Sequence, residues 1–289
     1  MKNKITCLLA GAVLFGATAN ADIAIADGVT AYGYIDIVAD DLEGAPRTSD
    51  LGEYELGLSF TPAESQWSAV AELSYKGDGG SEFETVTVTY QYSDALSFTA
   101  GNILSYQGLE SYDAPNNNFI SYAGPGALYS AGYAEGVSAD YSAGDISLGL
   151  WADVTASTSY EYYAAYSGVE NLTLSLAIAD NADSSETTNV MATYDLGDFA
   201  LSYENVDSDG FNSATDMDVD VFAVAYGMGD TTVALRLTDG TINTESYEKT
   251  SIAAFHSLSD NVAAGVEYSD GQLGQVESKG FAVELLYVF

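Results

Sequence analysis

The stretch Gly280-Phe281-Ala282-Val283-Glu284-Leu285-Leu286-Tyr287-Val288-Phe289 ends the chain and alternates with a period of two. Large apolar side chains occupy every second position, and the positions between them include Gly280, Ala282 and Glu284. Successive side chains of a strand point to opposite faces, so this pattern predicts a β-strand with one apolar face. The same alternation recurs along the whole chain, as in Trp67-Ala69-Ala71-Leu73-Tyr75, Ile146-Leu148-Leu150-Ala152-Val154 and Leu172-Leu174-Leu176-Ile178.

The recurring pattern predicts an all-β protein of about sixteen strands, each near ten residues long. The predicted strands cover residues 29–40, 51–60, 67–76, 83–92, 95–103, 131–142, 145–156, 159–168, 171–180, 188–196, 198–206, 217–228, 231–238, 247–257, 262–269 and 279–289. Short turns such as Ser93-Asp94 and Ala143-Gly144 alternate with longer linkers such as 207–216, 239–246 and 270–278. This order is typical of an antiparallel up-and-down meander.

Strand length and charge placement favour a membrane barrel over a soluble sandwich. Sandwich strands usually have about 5–6 residues, whereas tilted membrane strands need about 9–11. Tyrosines such as Tyr54, Tyr75 and Tyr268 stand near strand ends, as interfacial side chains do. Acids within strands, such as Glu55 and Glu284, fall mostly opposite the apolar face. The sequence therefore predicts a transmembrane antiparallel β-barrel, and a soluble exported acidic β protein acting as a binding or surface-structural module is the alternative.

Composition limits the function further. The 289 residues include 43 Asp and Glu against 7 Lys and Arg, a formal net charge of −36. Such a chain repels phosphate backbones, which argues against a nucleic-acid partner. Residues 1–21 have a basic start, an apolar run and a small-residue end, which predicts a signal peptide, with residues 22–289 forming one barrel domain. The only cysteine, Cys7, and the lone histidine, His256, offer little for catalysis. We therefore expect no enzyme and no cofactor.

Three features resemble Gram-negative outer-membrane porins: the signal segment, the first strand Val29–Asp36 and the terminal Tyr287-Val288-Phe289. The segment Gly101–Pro115 is similar to the corresponding stretch of the OmpL-like β-barrel porins. The resemblance implies an outer-membrane location, contact with membrane lipid and a homotrimer. It also implies recognition of Phe289 by the outer-membrane assembly machinery.

The longest linker, Leu104–Ser130, is also the third long one, and in sixteen-stranded porins this loop folds into the lumen. The resemblance therefore implies a constriction at this loop, formed by Glu110 and Asp113 with Arg236 on the wall. A barrel of about sixteen strands encloses a water-filled channel. We expect passive diffusion of ions and small hydrophilic solutes with a preference for cations, because acids dominate the chain.

One acidic segment offers hard oxygen ligands outside the loop. Asp207 and Asp209 are followed by Asp216, and carboxylates of this kind could bind Ca²⁺. The spacing lacks the glycine position and the terminal Glu of an EF-hand. A solvated acidic loop is the competing interpretation, so these residues stand as a weak calcium candidate and no other metal site is expected.

Overall fold

The computed structural model describes residues 23–43, 47–76, 80–110, 113–126, 128, 132–155, 159–180, 185–211 and 215–289. The predicted signal peptide, residues 1–21, lies outside the described residues. The described parts contain seventeen strands and one 3₁₀ turn, η1, at Ala114–Asn116. No helix among them is long and apolar enough to cross a membrane.

The strands run as follows: β1 Ile23–Ala26, β2 Val29–Leu42, β3 Thr48–Phe60, β4 Trp67–Lys76, β5 Gly80–Gln91, β6 Leu96–Leu104, β7 Tyr133–Ala143, β8 Ile146–Asp153, β9 Tyr160–Val169, β10 Leu172–Asp180, β11 Glu186–Leu196, β12 Phe199–Phe211, β13 Thr215–Met228, β14 Thr231–Ile242, β15 Glu245–Ser259, β16 Val262–Leu273 and β17 Val276–Val288. Each strand from β2 to β17 pairs antiparallel with the next one in sequence. This is the up-and-down order that the alternating linkers predict.

The first and last long strands close the sheet into a barrel. β17 pairs with β2 from Gly280 opposite Leu42 to Val288 opposite Tyr34. Just beyond, the backbones of Gly33 and Phe289 exchange two hydrogen bonds of 2.9 Å. Closure leaves β2–β17 without free edges, which removes the aggregation hazard of an open sheet. The sixteen-stranded antiparallel barrel is thereby confirmed. The short β1, which was not predicted, pairs with the start of β2.

The linkers on the longer side differ from the prediction. Residues 239–246 and 270–278 were expected to be loops, but β14 and β15 continue to a two-residue turn at Asn243-Thr244, and β16 runs on to Leu273. Asn243 and Thr244 both have positive φ, 49° and 70°, as tight hairpin turns with matching twist require. These strand extensions contain only isolated apolar residues such as Ile242 and Leu273, so they carry no apolar alternation to reveal them.

The two faces of β17 show how the wall is oriented. Phe281, Val283 and Leu285 are 58%, 52% and 43% exposed, whereas Glu284 and Leu286 are 8% and 2% exposed. The apolar face of the terminal stretch therefore points outward, as lipid contact requires. Aromatic rings of neighbouring strands also pack together on this outer surface, stacked at Tyr54–Tyr75 and Phe199–Tyr226 and tilted at Trp67–Tyr90. The apolar face lies outside the barrel and the more polar face lies inside it.

Candidate functional site

The inner wall carries buried acids from many strands. A strand that presents apolar residues outward must turn the alternate positions inward, and those positions hold the acids here. Asp36, Glu55, Glu84, Glu161, Glu204, Glu267 and Glu284 are each less than 10% exposed. Buried carboxylates need hydrogen-bond donors or cations nearby, because isolated buried charge is costly. The segment between β6 and β7 supplies many of these donors.

The first leg of this segment, residues 105–110, crosses the lumen against the inner faces of β9, β11 and β12. Three successive wall side chains accept backbone N–H groups: Glu161 from Tyr106 at 2.9 Å, Asn189 from Gly108 at 2.8 Å, and Glu204 from Leu109 at 3.2 Å. The Ser105 hydroxyl also donates to Glu161 at 2.7 Å. The predicted folding of the third long loop into the lumen is thus confirmed.

A second leg, residues 119–123, lies against β14–β16. The backbone N–H groups of Ile120 and Ser121 donate to one Glu267 oxygen at 2.5 and 3.0 Å. The Tyr247 hydroxyl donates to the Ala123 carbonyl at 2.9 Å. Glu267 is 1% exposed, so its charge is solvated by the loop rather than by water. The loop backbone and the acidic wall therefore satisfy each other.

Arg236 and Glu110 join the two legs to the wall. Their side chains form a contact ion pair, with 3% and 16% of their side-chain surfaces exposed. The Arg236 guanidinium also donates to the carbonyl oxygens of Ser121 at 2.7 Å and Tyr122 at 2.9 Å, and it lies 4.3 Å from the Phe119 ring centre. Glu110 accepts the Ala123 N–H at 2.8 Å. We call Arg236, Glu110 and the Ser121–Ala123 backbone the latch.

Two of the predicted constriction residues, Arg236 and Glu110, take part in the latch. Arg236 does face inward at mid-barrel on β14, as the sequence indicates, but only 2% of it is exposed. Glu110 is likewise engaged with Arg236 and the loop backbone. Lys249 donates to the Tyr122 carbonyl at 2.6 Å and so also binds the second leg. These two bases hold the loop against the wall.

Asp113 lies at the bend between the two legs, just before η1, and faces the opposite wall. Its carboxylate and those of Glu55 on β3 and Glu84 on β5 offer oxygen atoms that all lie within 4.8 Å of one another. Asn116 donates to Asp113 at 3.2 Å. We call Glu55, Glu84 and Asp113 the acidic constriction. Sequence analysis found Asp113 and noted Glu55 as inward-facing, but it missed Glu84.

Electrostatics at the constriction shift the proton equilibrium of Asp113. Burial and the neighbouring carboxylates of Glu72, Glu84 and Glu53 together raise its pKa to about 7, while the hydrogen bond from Asn116 opposes them. Like charges this close disfavour joint ionisation. The site is therefore a ring of carboxylates whose charge depends on pH. Glu72 is itself stabilised by the Tyr32 hydroxyl, which donates to it at 2.5 Å.

A bulge explains why Glu84 escapes the sequence pattern. The register between β4 and β5 shifts between Ala71 and Leu73, so Phe83 and Val86 both face outward although they are three residues apart. One extra residue in a strand re-aims the side chains that follow. Alternation counted back from the later part of β5 therefore assigns the residues before the bulge to the wrong face of the strand. Nothing in the sequence around Glu82 and Glu84 indicates that the parity of the strand changes there.

The weak calcium candidate is spread over two strands. Asp207 and Asp209 lie on the exposed face of β12, and Asp216 lies near the start of β13. Asp216 accepts the Gly210 N–H at 3.1 Å. Among the described residues, the only three acidic groups whose oxygens converge within 4.8 Å are those of the acidic constriction. The structure does not bring the three aspartates together.

Comparison with solved structures identifies the same barrel architecture in bacterial outer-membrane proteins. The anion-selective porin of Comamonas acidovorans is similar with a TM-score of 0.72 and 15% identity, covering 90% of this chain and 99% of that chain. A mutant of the Rh. blastica porin gives a TM-score of 0.69 with 16% identity over 90% and 100% of the two chains. The trimer form of the outer-membrane protein OmpT of Vibrio cholerae gives 0.67 with 15% identity over 90% and 99%.

These likenesses concern the fold. No protein-family model matches the sequence, and no curated protein matches it either. At 14–16% identity the shared feature is the closed antiparallel barrel, spanning nearly the full length of each neighbour. The chain has the barrel fold of the outer-membrane porins.

Proposed function

We propose that the protein is an outer-membrane porin that forms a water-filled, cation-preferring channel for passive diffusion of ions and small hydrophilic solutes. The observation that carries this proposal is the acidic constriction, where Asp113 on the inward-folded loop faces Glu55 and Glu84 on the wall. No covalent chemistry is needed, because such a pore selects by width and wall charge.

The placement of the carboxylates explains the direction of selectivity. Salt screens exposed charges over about 8 Å at physiological ionic strength, so acids at a wide mouth select weakly. Three carboxylates within 4.8 Å of one another act together on any ion that passes them. Their field attracts cations and repels anions. Arg236, the main inward base predicted, is covered by the loop and paired with Glu110, so it offers little to an anion.

The test is the reversal potential in planar bilayers across a tenfold KCl gradient. We expect wild-type protein to favour K⁺. The triple variant Glu55→Gln, Glu84→Gln, Asp113→Asn should lose most of this preference. A matched control, Asp145→Asn, Glu170→Gln, Asp230→Asn, removes the same charge from exposed short turns and should behave like wild type. Chloride preference in the wild type would refute the proposal, and equal loss in both triples would assign selectivity to overall charge.

The competing functions receive less support. A soluble exported protein would not present Phe281, Val283 and Leu285 to water along one strand. For catalysis, His256 is the chain's only histidine, and it bonds to the Thr231 hydroxyl at 2.9 Å on the exposed face. The nearby Ser251 is fully buried on the inward face, so the two do not form a nucleophile and base. We therefore propose a channel rather than an enzyme.

The remaining cellular features belong to the same proposal. A trimer form is recorded for the OmpT neighbour, and we propose a homotrimer in the outer membrane for this chain. Residues 1–21 would be removed on export, and Phe289 would serve as the signal for the assembly machinery. Gel migration before and after heating tests the trimer, since a single-chain band in unheated mild-detergent samples would contradict it.

A further inference from the structure

A cavity of about 180 Å³ lies between the inward-folded loop and the wall where the barrel closes. The wall side is formed by residues of β2, β3 and β17, and the loop side by residues 114–122. Its polar lining includes Asp36, Glu53, Glu110, Asn117, Ser121 and Glu284. A space of this size holds several water molecules where the lining is polar. It is separate from the acidic constriction, since neither Glu55 nor Glu84 lines it.

Asp36 projects a carboxylate oxygen into this cavity without a protein donor. The residue is 6% exposed, and its Oδ1 atom has no hydrogen-bond partner. Its other oxygen, Oδ2, lies over Gly52, where a Cβ would approach to 2.4 Å and would displace the carboxylate. A buried carboxylate oxygen without a donor is costly, and it calls for a water or a cation.

Glu284 lies beside Asp36 on the same inner face. In the β2–β17 pairing Asp36 is opposite Leu286 and Glu284 is opposite Val38, which makes the two acids diagonal neighbours across the closure. Glu284 is 8% exposed. Two buried carboxylates side by side do not both ionise unless a cation compensates them, and a shared proton is the alternative to a metal ion. Glu53, another acid of the cavity, accepts the Ser74 hydroxyl at 2.6 Å.

The basic residues described near the cavity bind other groups. Arg236 binds Glu110 and the carbonyls of the second leg, and Lys249 binds Ser121 and Tyr122. Glu267, which also faces this region, is solvated by the N–H groups of Ile120 and Ser121. None of these groups therefore supplies a positive charge to the Asp36–Glu284 pair.

We propose that the Asp36–Glu284 pair binds a partly hydrated divalent cation, Mg²⁺ or Ca²⁺. Both are hard cations that take carboxylate oxygens, and Mg²⁺ in particular is bound through one or two carboxylates with several retained waters. The cavity has room for those waters. Oxygens of Asp36, Glu53 and Glu284 do not converge within 4.8 Å as those of the acidic constriction do, so water completes the shell. The ion links the loop to the seam between the first and last long strands.

The experiment uses the full barrel, refolded in detergent, stripped with a chelator and titrated calorimetrically with MgCl₂ or CaCl₂ alone. We expect one ion per chain and a melting temperature that rises with the ion. The variant Asp36→Asn, Glu284→Gln should weaken binding at least tenfold and abolish the rise. The exposed-turn control Asp145→Asn, Glu170→Gln, Asp230→Asn should bind as wild type does.

Two outcomes would overturn the site. The first is unchanged affinity in the double variant Asp36→Asn, Glu284→Gln. The second is loss of binding only in the triple variant Glu55→Gln, Glu84→Gln, Asp113→Asn, because this would place the ion at the acidic constriction. Heat-modifiable gel migration reports folding, and if the double variant does not fold, the two single variants are measured instead. Conductance in chelator tests the channel separately, so a conducting, cation-preferring protein that binds no divalent ion would refute only this inference.

Discussion

Arg236 on β14 and Glu110 on the inward loop form an ion pair buried beneath that loop, 126 residues apart in the chain. The pair is supported by loop carbonyls on the Arg236 side and by the Ala123 N–H on the Glu110 side. In a low-dielectric environment, removing either partner leaves the other as an uncompensated buried charge. We therefore expect the position of the loop to depend on this pair.

We expect Arg236→Met and Glu110→Gln each to loosen the loop and raise channel conductance. Removing one partner of a buried pair leaves an uncompensated charge and costs about 3–5 kcal/mol. The double variant should recover part of this loss, because it leaves neither charge unpaired. Urea unfolding in lipid vesicles and single-channel conductance measure the two effects.

Lys279→Met is the matched control for the latch. Lys279 also pairs with acids, Asp270 at 3.5 Å and Glu277 at 3.3 Å, but on the exposed end of β17. Its removal should change neither conductance nor unfolding, because water screens such pairs. If Arg236→Met behaved like Lys279→Met, the latch would not hold the loop.

The second leg has its own anchor, and Glu267→Gln should disturb it. Two backbone N–H groups and the Ser121 hydroxyl donate to this carboxylate, and an amide can face them with only one oxygen. A buried donor left without an acceptor costs about 1–3 kcal/mol. The expected result is noisier open-channel current and faster proteolysis of the loop.

Glu248→Gln provides the comparison, because Glu248 lies on the outward, exposed face of the adjacent strand β15. Its channel current should match that of the wild type. Equal noise in both variants would show that the loop does not rely on Glu267.

A separate prediction concerns the outward face of the barrel wall and whether it contacts lipid. Val283 is 52% exposed in the central part of β17, and Val283→Arg places a charge where the porin fold meets hydrocarbon. Such a substitution costs about 2–4 kcal/mol near the bilayer midplane and little near the interface. Val276→Arg, at the end of the same strand, should be tolerated. The refolding yield into lipid vesicles measures the effect of both substitutions. Equal yields for the two variants would favour the soluble alternative.

Much of the barrel follows from the sequence because alternation is a local property. Strands such as β17 show their parity residue by residue, and the tight turns between them carry turn formers such as Gly144 and Gly197. The hairpin extensions contain only isolated apolar residues and give no such signal. The bulge before Val86 conceals Glu84 for a related reason, because it breaks the parity on which the prediction depends.

The constriction residues show the limit of local patterns. The resemblance to porins singled out Glu110, Asp113 and Arg236 together, yet only tertiary structure separates the latch from the acidic constriction. Glu110 and Asp113 are three residues apart in one acidic loop, and nothing in their sequence context tells which of them meets Arg236. The answer depends on how the loop crosses the lumen, which its backbone contacts with Glu161, Glu204 and Glu267 determine.

Channel selectivity should depend on pH through Asp113. Its pKa is raised to about 7 by burial and by Glu72, Glu84 and Glu53, so the carboxyl takes up a proton as the pH falls from 8 to 6. Cation preference should therefore decrease over this window, with a midpoint near pH 7. Folding favours the protonated form, so the free energy of unfolding should fall as the pH rises from about 4, the value of an unfolded Asp, towards 7.

Reversal potentials recorded at intervals from pH 5.5 to 8.5 measure this titration, and Asp113→Asn is the decisive variant. An amide cannot ionise, so the variant should lack the step near pH 7 and keep the lower preference throughout. The exposed Asp145→Asn should retain the full step, because its carboxyl lies in a turn far from the loop contacts. A step that persists in Asp113→Asn would assign the titration to another acid of the wall, whereas its disappearance places the selectivity charge on the loop.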